Sequence, residues 1–227
     1  MDPGTALVTG ASRGIGRETA IHLARAGMRV LACGRDRAAL QSLADAAGPL
    51  LIAIPLDITD RAAVDGFIAD LGGQSAVDLL VNAAGIFPDQ GRGFQAVDEN
   101  CIRASLDVHL FGTWRLVHAL LPGMLQRGRG RIVNLTSGYG CSGMGAGMTG
   151  YRIAKAAVNA LTQIAAAECK GDVKVNAVDP GWVRTDMGGP DAPRSVADAA
   201  ADVVDAATLP ADGPNGVLLR QRQVVAW

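Results

Sequence analysis

Along the whole of this 227-residue chain, short apolar runs alternate with longer helical patterns. The apolar runs lie at 6–9, 29–33, 50–56, 77–82, 131–136, 173–178 and, more weakly, 216–219. Most are continuous rather than alternating, as strands of a parallel sheet covered on both faces must be. Helical patterns fall between them near 14–26, 36–46, 60–70, 98–121, 151–168 and 195–208. Such sustained alternation predicts a doubly wound α/β fold, a parallel sheet of about seven strands with helices on both faces. No linker or shift in composition divides it, so 1–227 reads as a single domain. Two helix ends are legible chemically. Gly27 suits a C-terminal cap, and Ser195 with Asp198 three residues on resembles a capping box.

Composition excludes several classes of function. Lys+Arg is 21 and Asp+Glu is 22, a net charge of -1, so nothing draws the chain as a whole to nucleic acid or an anionic membrane. Hydrophobic residues make up 49% and charged residues 19%, against disorder. The 4 cysteines, Cys33, Cys101, Cys141 and Cys169, contain no Cys-x-x-Cys pair. They read as reduced side chains of a cytoplasmic protein rather than a disulfide or zinc framework. The N-terminal residues form no signal peptide, and no apolar stretch is long enough for a transmembrane helix.

The most informative stretch is Thr9-Gly10-Ala11-Ser12-Arg13-Gly14-Ile15-Gly16, between a predicted strand and a predicted helix. Its glycines permit a tight turn and close approach to a pyrophosphate, and the following helix offers unpaired N–H groups and a partial positive charge. Part of the same stretch matches the Gly-x-Ser-x-Gly nucleophile elbow of hydrolases. That chemistry needs a histidine late in the chain, and the histidines are His22, His109 and His118.

This stretch resembles the cofactor fingerprint Thr-Gly-x-x-x-Gly-x-Gly of the short-chain dehydrogenase/reductase family. Three further motifs follow in the family's order: Asn82-Ala83-Ala84-Gly85, with Ala in place of one Asn; Tyr151-Arg152-Ile153-Ala154-Lys155; and Asp179-Pro180-Gly181-Trp182-Val183-Arg184-Thr185. The tail is similar to the carbonyl reductase branch. The resemblance spans residues 5–186 and implies a Rossmann fold and a nicotinamide cofactor. It also implies a Ser-Tyr-Lys mechanism, with Tyr151 as proton donor to a substrate carbonyl. Lys155 would lower the phenol's pKa and hold the cofactor ribose. Tyr151 and Lys155, four apart, share a helix face, and a nearby ammonium favours phenolate. Ser137 is the candidate serine, with Thr136 and Ser142 as alternatives. Its spacing of 14 from Tyr151 is one more than the family leads us to expect. His109 stands where many relatives carry an Asn that supports a water beside the lysine. An imidazole could hold that water, or it could simply pack. His118 and His22 read as structural.

Several further positions carry over from the family to the cofactor: Gly10, Ser12, Arg13, Gly14, Ile15, Gly16, Arg35, Asp57, Ile58, Asn82, Gly85, Tyr151, Lys155, Pro180, Gly181, Val183 and Thr185. NAD sites often place an acid at the end of the second strand. Gly34 occupies that place, Arg35 follows, and Arg13 is expected to face the same spot. Two guanidiniums without an acid suit the 2′-phosphate of NADPH over NADH. Asp36 is the counter-signal, unless it caps the next helix.

Residues 186–194 are too few for a large helical lid. Phe87, Tyr139, Met144, Met148, Trp182 and Met187 could line an apolar pocket or simply pack. The expected activity is NADPH-dependent, reversible reduction of a small ketone or aldehyde. The competing reading is a non-catalytic NADP(H)-binding sensor or partner protein. Helix 98–121 is apolar nearly all round, and the family pairs this helix and the Tyr-Lys helix across two-fold axes, so a homodimer or homotetramer is expected.

Overall fold

The computed structural model describes residues 4–72, 77–141 and 145–227; Ser142 and Met144 lie outside them. The strands are β1 (Thr5–Thr9), β2 (Arg29–Gly34), β3 (Leu51–Pro55), β4 (Leu79–Asn82), β5 (Arg129–Leu135), β6 (Asp172–Asp179), β7 (Leu218–Arg220) and β8 (Gln223–Val225). The α-helices are α1 (Gly14–Arg25), α2 (Arg37–Ala47), α3 (Arg61–Asp70), α4 (Glu99–Leu106), α5 (Thr113–Arg127), α6 (Thr149–Ala167) and α7 (Val196–Ala207). The strands form one sheet in the order β3-β2-β1-β4-β5-β6-β7-β8. The first seven are parallel, and β8 folds back antiparallel on β7. This confirms the doubly wound α/β fold and adds an eighth strand. The sequence hides β8 because it is short, exposed at an edge and entered by Gln221 and Arg222, whose φ of 49° and 67° belong to turns usually marked by Asn-Gly.

The continuous apolar runs have a direct physical cause. In β1, Ala6 and Val8 pack on one face while Leu7 packs on the other, and β2 splits Val30 and Ala32 from Leu31 in the same way. The first face is covered by α1, α2 and α7 through Leu23, Leu40, Leu43 and Val203. The second is covered by α3, α5 and α6 through Val64, Leu116, Leu120 and Ala165. Successive strand residues point to opposite faces, so a strand buried on both sides cannot afford polar alternation.

Four helices begin on a side-chain cap from the residue immediately before them. Asp36, Asp60, Asp98 and Ser195 each accept a backbone N–H three residues on. Asp36 is thereby assigned to α2. The predicted helix 98–121 is instead three segments, α4, a π turn at Asp107–Gly112, and α5, which continues to Arg127. An extra residue in a turn rotates the following faces by ~100°. His109 continues the buried Cys101–Ser105 face of α4 at 2% exposure, while Phe111 and Trp114 are 46% and 40% exposed. His118 stacks on Trp114 at 4.8 Å and His22 pairs with Glu18, both away from the cleft described next.

Strand order reverses between β1 and β4, whose last residues Thr9 and Asn82 lie side by side. In open α/β sheets this switch point opens the ligand crevice at the carboxyl ends of the strands.

Candidate active site

A cleft of about 1310 Å³ runs along those strand ends. That exceeds the ~300–1,000 Å³ of ordinary small-ligand sites and leaves room for a dinucleotide with a small substrate beside it. Gly10, Ser12, Arg13, Gly14, Ile15 and Gly16 line one part, with Arg35, Asp57 and Ile58. Gly85, His109, Ser137, Tyr151, Lys155, Pro180, Gly181, Val183 and Thr185 line the rest. Asn82 lies just beneath, donating from Nδ2 to Asn134 at 2.8 Å, and Asn134 donates to Thr162 of α6 at 2.9 Å. Asn82 therefore ties the two central strands to α6.

The glycine turn is shaped as a close-approach cradle. Gly10 has φ of 66°, and a Cβ there would stand 2.7 Å from the Ala84 nitrogen. The Thr9 hydroxyl accepts the N–H groups of Ala83 and Ala84 at 3.1 and 3.2 Å, locking the two loops together. Helix α1 begins without a side-chain cap, so its first N–H groups remain available to an anion. These features fit a pyrophosphate. A Cβ on Gly34 would touch the Ser12 hydroxyl at 3.4 Å. Arg35 is exposed beside that point. Burial raises the Asp57 pKa, but the Thr59 backbone and hydroxyl hydrogen bonds, with Arg35 and Arg115, outweigh it and hold the carboxyl below its ordinary value. Arg13 does not turn toward Arg35: its guanidinium crosses the cleft to Asp186 at 2.9 Å, with both side chains about three-quarters exposed.

At the other end, polar groups are buried. Tyr151 is 8% and Lys155 5% exposed. The Lys155 ammonium donates to the Leu135 carbonyl at 2.8 Å and lies 5.6 Å from the centre of the Tyr151 ring. Burial lowers the Lys155 pKa to about 7, against the opposing pull of Asp179. Burial raises the Tyr151 phenol to about 12; the Ser137 hydroxyl bond pulls it back, while Asp179 and Tyr139 push it up. Burial outweighs the other influences on this phenol, and Lys155 is not among the groups that shift it. Ser137 faces Tyr151, whereas the Thr136 hydroxyl is buried against α6, bonded to Asn159.

Gly85 and His109 are fitted to each other. A Cβ on Gly85 would stand 2.8 Å from His109 Cε1. His109 Nε2 meets the Ile86 backbone, with the carbonyl oxygen at 2.8 Å, and its ring lies edge-on to Tyr151 at 5.4 Å. Burial and the Lys155 charge push its pKa well below the ordinary value, and the Ile86 bond only partly opposes them. The imidazole is neutral at pH 7.

A family model described as short chain dehydrogenase matches residues 4–195. The chain belongs to that family. It is 38% identical over 180 residues to a 2-keto-3-deoxy-L-fuconate dehydrogenase of Xanthomonas campestris, covering 79% of this chain and 58% of that relative. Among solved structures it resembles carbonyl reductase Sniffer of D. melanogaster, with TM-score 0.87, 25% identity and 99% of each chain covered. It also resembles a serine dehydrogenase complexed with NADP+ (TM-score 0.85, 28% identity, 95% and 93% covered). A Brucella melitensis 3-ketoacyl-(acyl-carrier-protein) reductase complexed with NADH is similar too (TM-score 0.85, 25% identity, 96% of each covered). This short-chain dehydrogenase is thus an oxidoreductase of a family that binds nicotinamide cofactors.

Sequence reasoning missed three groups of this dehydrogenase's site. Asp179, quoted in a motif but given no role, is 3% exposed. It accepts from the Gly181 N–H at 2.9 Å and pairs with Arg220 at 2.6 Å. Arg220 comes from β7 and lines the cleft, and a Cβ on Gly138 would stand 2.6 Å from its Nη2. Asp89, in the segment after β4, is wholly buried against the start of α6. The 186–194 segment contains no helix, as expected, and is pinned by Arg194, which donates to the Pro180 carbonyl and pairs with Asp202.

Proposed function

We propose that this short-chain dehydrogenase reduces a small ketone or aldehyde to the alcohol with NADPH, reversibly. The observation that carries the reading is the buried Tyr151 phenol, with the Lys155 ammonium 5.6 Å from its ring centre, at one end of a dinucleotide-sized cleft that Ser137 also lines. When bound, the dihydronicotinamide supplies hydride to the carbonyl carbon. Tyr151 gives its proton to the carbonyl oxygen, and Ser137 orients that oxygen. Lys155 changes charge near neutrality, so it can restore the phenol's proton between turnovers. His109 takes the place of the family's Asn as a neutral polar group beside the lysine. A phenol raised above its ordinary pKa by burial is protonated at pH 7, the state that donation to a carbonyl oxygen requires. Burying a Tyr-Lys pair is costly, which argues against a non-catalytic sensor.

NADPH is favoured by Arg35 and by Gly34 in place of an acid, with Asp36 occupied in capping α2. The Arg13–Asp186 pair is exposed on both sides and worth only ~0–1 kcal/mol, so a 2′-phosphate can recruit Arg13. Phe87, Tyr139, Met148, Trp182 and Met187 line the substrate end of the cleft and suit an apolar carbonyl compound. Phe111, Trp114, Ile153 and Ile164 leave an exposed apolar face on the π turn, α5 and α6, which supports a homodimer or homotetramer. Sedimentation giving only monomer at micromolar concentration would remove that part. Four free thiols support a cytoplasmic location, and no helix among the described residues is long and apolar enough to cross a membrane.

The test is NADPH consumption against a panel of aldehydes, ketones, diketones and quinones, beside Tyr151→Phe. Turnover in the native chain that disappears in the variant supports the reading. Turnover that persists in Tyr151→Phe removes it.

A further inference from the structure

Helix α6 begins differently from the four helices capped by their neighbours. The residue before it, Met148, has a left-handed φ of 55° and supplies no side-chain cap. Tyr151 is its third residue, so the first turn of this helix sets where the phenol points. The N–H groups of that turn are met from 61 residues away. Asp89 Oδ2 accepts from Gly150 at 2.6 Å, and from Tyr151 itself at a longer 3.4 Å. Asp89 has 0% exposure, and its second oxygen has no partner among the described residues. A buried carboxylate half unsatisfied is a costly choice where a local Ser or Asp cap would serve helix stability alone.

The rest of segment 86–92 acts on the same place. Phe87 packs its ring on Tyr151 at 4.4 Å between centroids. The Ile86 backbone holds His109, and the Arg92 carbonyl accepts from the Met148 N–H at 3.3 Å. Behind the turn there is no slack: a Cβ on Gly150 would stand 3.1 Å from the Ser105 hydroxyl of α4. The tyrosine is thus held by its ring from one side and by its backbone from another, both through one segment.

We propose that Asp89 is a positioning residue for Tyr151. Its carboxylate replaces the missing local cap and fixes the turn from which the phenol reaches the substrate. The kinetic consequence rests on the reading of Tyr151 as proton donor; the geometric one does not. A negative charge at a helix N-terminus is favourable, and misplacement of a reacting group by ~1 Å can cost ~100-fold in rate.

The experiment compares Asp89→Ala, Asp89→Asn and Asp89→Glu in two readouts. In steady-state kinetics with NADPH and the best substrate of the panel, Asp89→Ala lowers kcat ~10–100-fold, with both KM values within ~3-fold. Asp89→Asn, which keeps an acceptor oxygen in place, recovers most of the loss. Asp89→Glu, which keeps the charge but moves it by a methylene, does not. The second readout needs no turnover. The chain has two tyrosines, so 3-fluorotyrosine labelling in a Tyr139→Phe background gives a 19F line for Tyr151 alone. That line shifts or broadens in Asp89→Ala and Asp89→Glu and returns in Asp89→Asn. An unchanged kcat and an unchanged line in Asp89→Ala overturn the proposal. So does a parallel fall of kcat, cofactor affinity and Tm in all three variants, which marks a general structural clamp. If Asp89→Ala does not fold, the Asn and Glu variants decide by the same criteria, and equal lines in the two overturn it. If the native chain turns over nothing, the reductase reading fails while the fluorine line still decides whether Asp89 positions the ring.

Discussion

At the glycine-turn end of the cleft, the lining comes from strand ends and short turns, and its guanidiniums stand in solvent: Arg35 is exposed, and Arg13 and Asp186 are about three-quarters exposed. At the tyrosine end, polar groups are buried and held by distant partners. Lys155 is held by the Leu135 carbonyl, His109 by the Ile86 backbone, Asp179 by Arg220, and the first turn of α6 by Asp89. The contrast follows from what each end must do. A phosphate is bound by backbone N–H groups and mobile positive charge, which tolerate water. A proton donor needs fixed geometry and a controlled pKa, which require dry surroundings and fixed neighbours.

The comparison can be broken most sharply at Tyr151. Tyr151→Phe is expected to lower kcat by at least ~10³-fold, with cofactor affinity, read by quenching of tryptophan fluorescence, changed less than ~3-fold. Loss of cofactor affinity as large as the loss of rate would mean the two ends are not separable. Next in size is the charge exchange at the other end. Arg35→Asp should lower kcat/KM for NADPH ~10–100-fold and leave NADH within ~3-fold. Equal losses with both cofactors would remove the 2′-phosphate reading.

Stability should show the same division. Gly85→Ala forces a methyl against the His109 ring and should cost ~1–3 kcal/mol in urea unfolding. In a His109→Ala background the same change should cost ~1 kcal/mol or less, since the obstructing ring is gone. Equal costs in both backgrounds would show that the two are not coupled. A further test is the pH dependence of Lys155→Met. The native lysine titrates near 7 and its unfolded form near 10.5. Between these values the unfolded chain binds the extra proton, so native stability rises with pH across that window and the burden of the buried charge is greatest below 7. Removing the amine should therefore raise Tm at pH 6 by several degrees more than at pH 10, at ~2–4 °C per kcal/mol for a chain of this size. A gain independent of pH would place the lysine charge outside the energetics of this end.

Particular residues show how far the sequence could be read. The strand-helix alternation and the caps Asp36 and Ser195 were legible because apolar runs and caps are local patterns. The glycine turn was legible because Gly10 and Gly14 must adopt left-handed φ, which few other residues accept. The motif residues Ser137, Tyr151 and Lys155 were named from the family resemblance, and the fold brings them into one cleft. The π turn at Asp107–Gly112 was not legible, because an α-helix and a π turn share nearly the same local preferences. Nor was β8, whose turn carries the unusual pair Gln221 and Arg222. Asp89 and Arg220 had no local signal at all: an acid in a loop and an arginine near the C-terminus look solvated until the chain is folded.

The sequence by itself determined the doubly wound alternation, the glycine turn after the first strand and the chemical groups available to the site. These depend on hydrophobic period, glycine φ and side-chain identity, all of which are properties of short stretches. Only the tertiary structure decided the protonation of those groups and their orientation. A pKa near 7 for Lys155 or near 12 for Tyr151 is set by burial and by Ser137 and Asp179, and the start of α6 is held by a carboxylate 61 residues away. Desolvation and long-range hydrogen bonds exist only once the chain has packed, so they are written in no single segment of it.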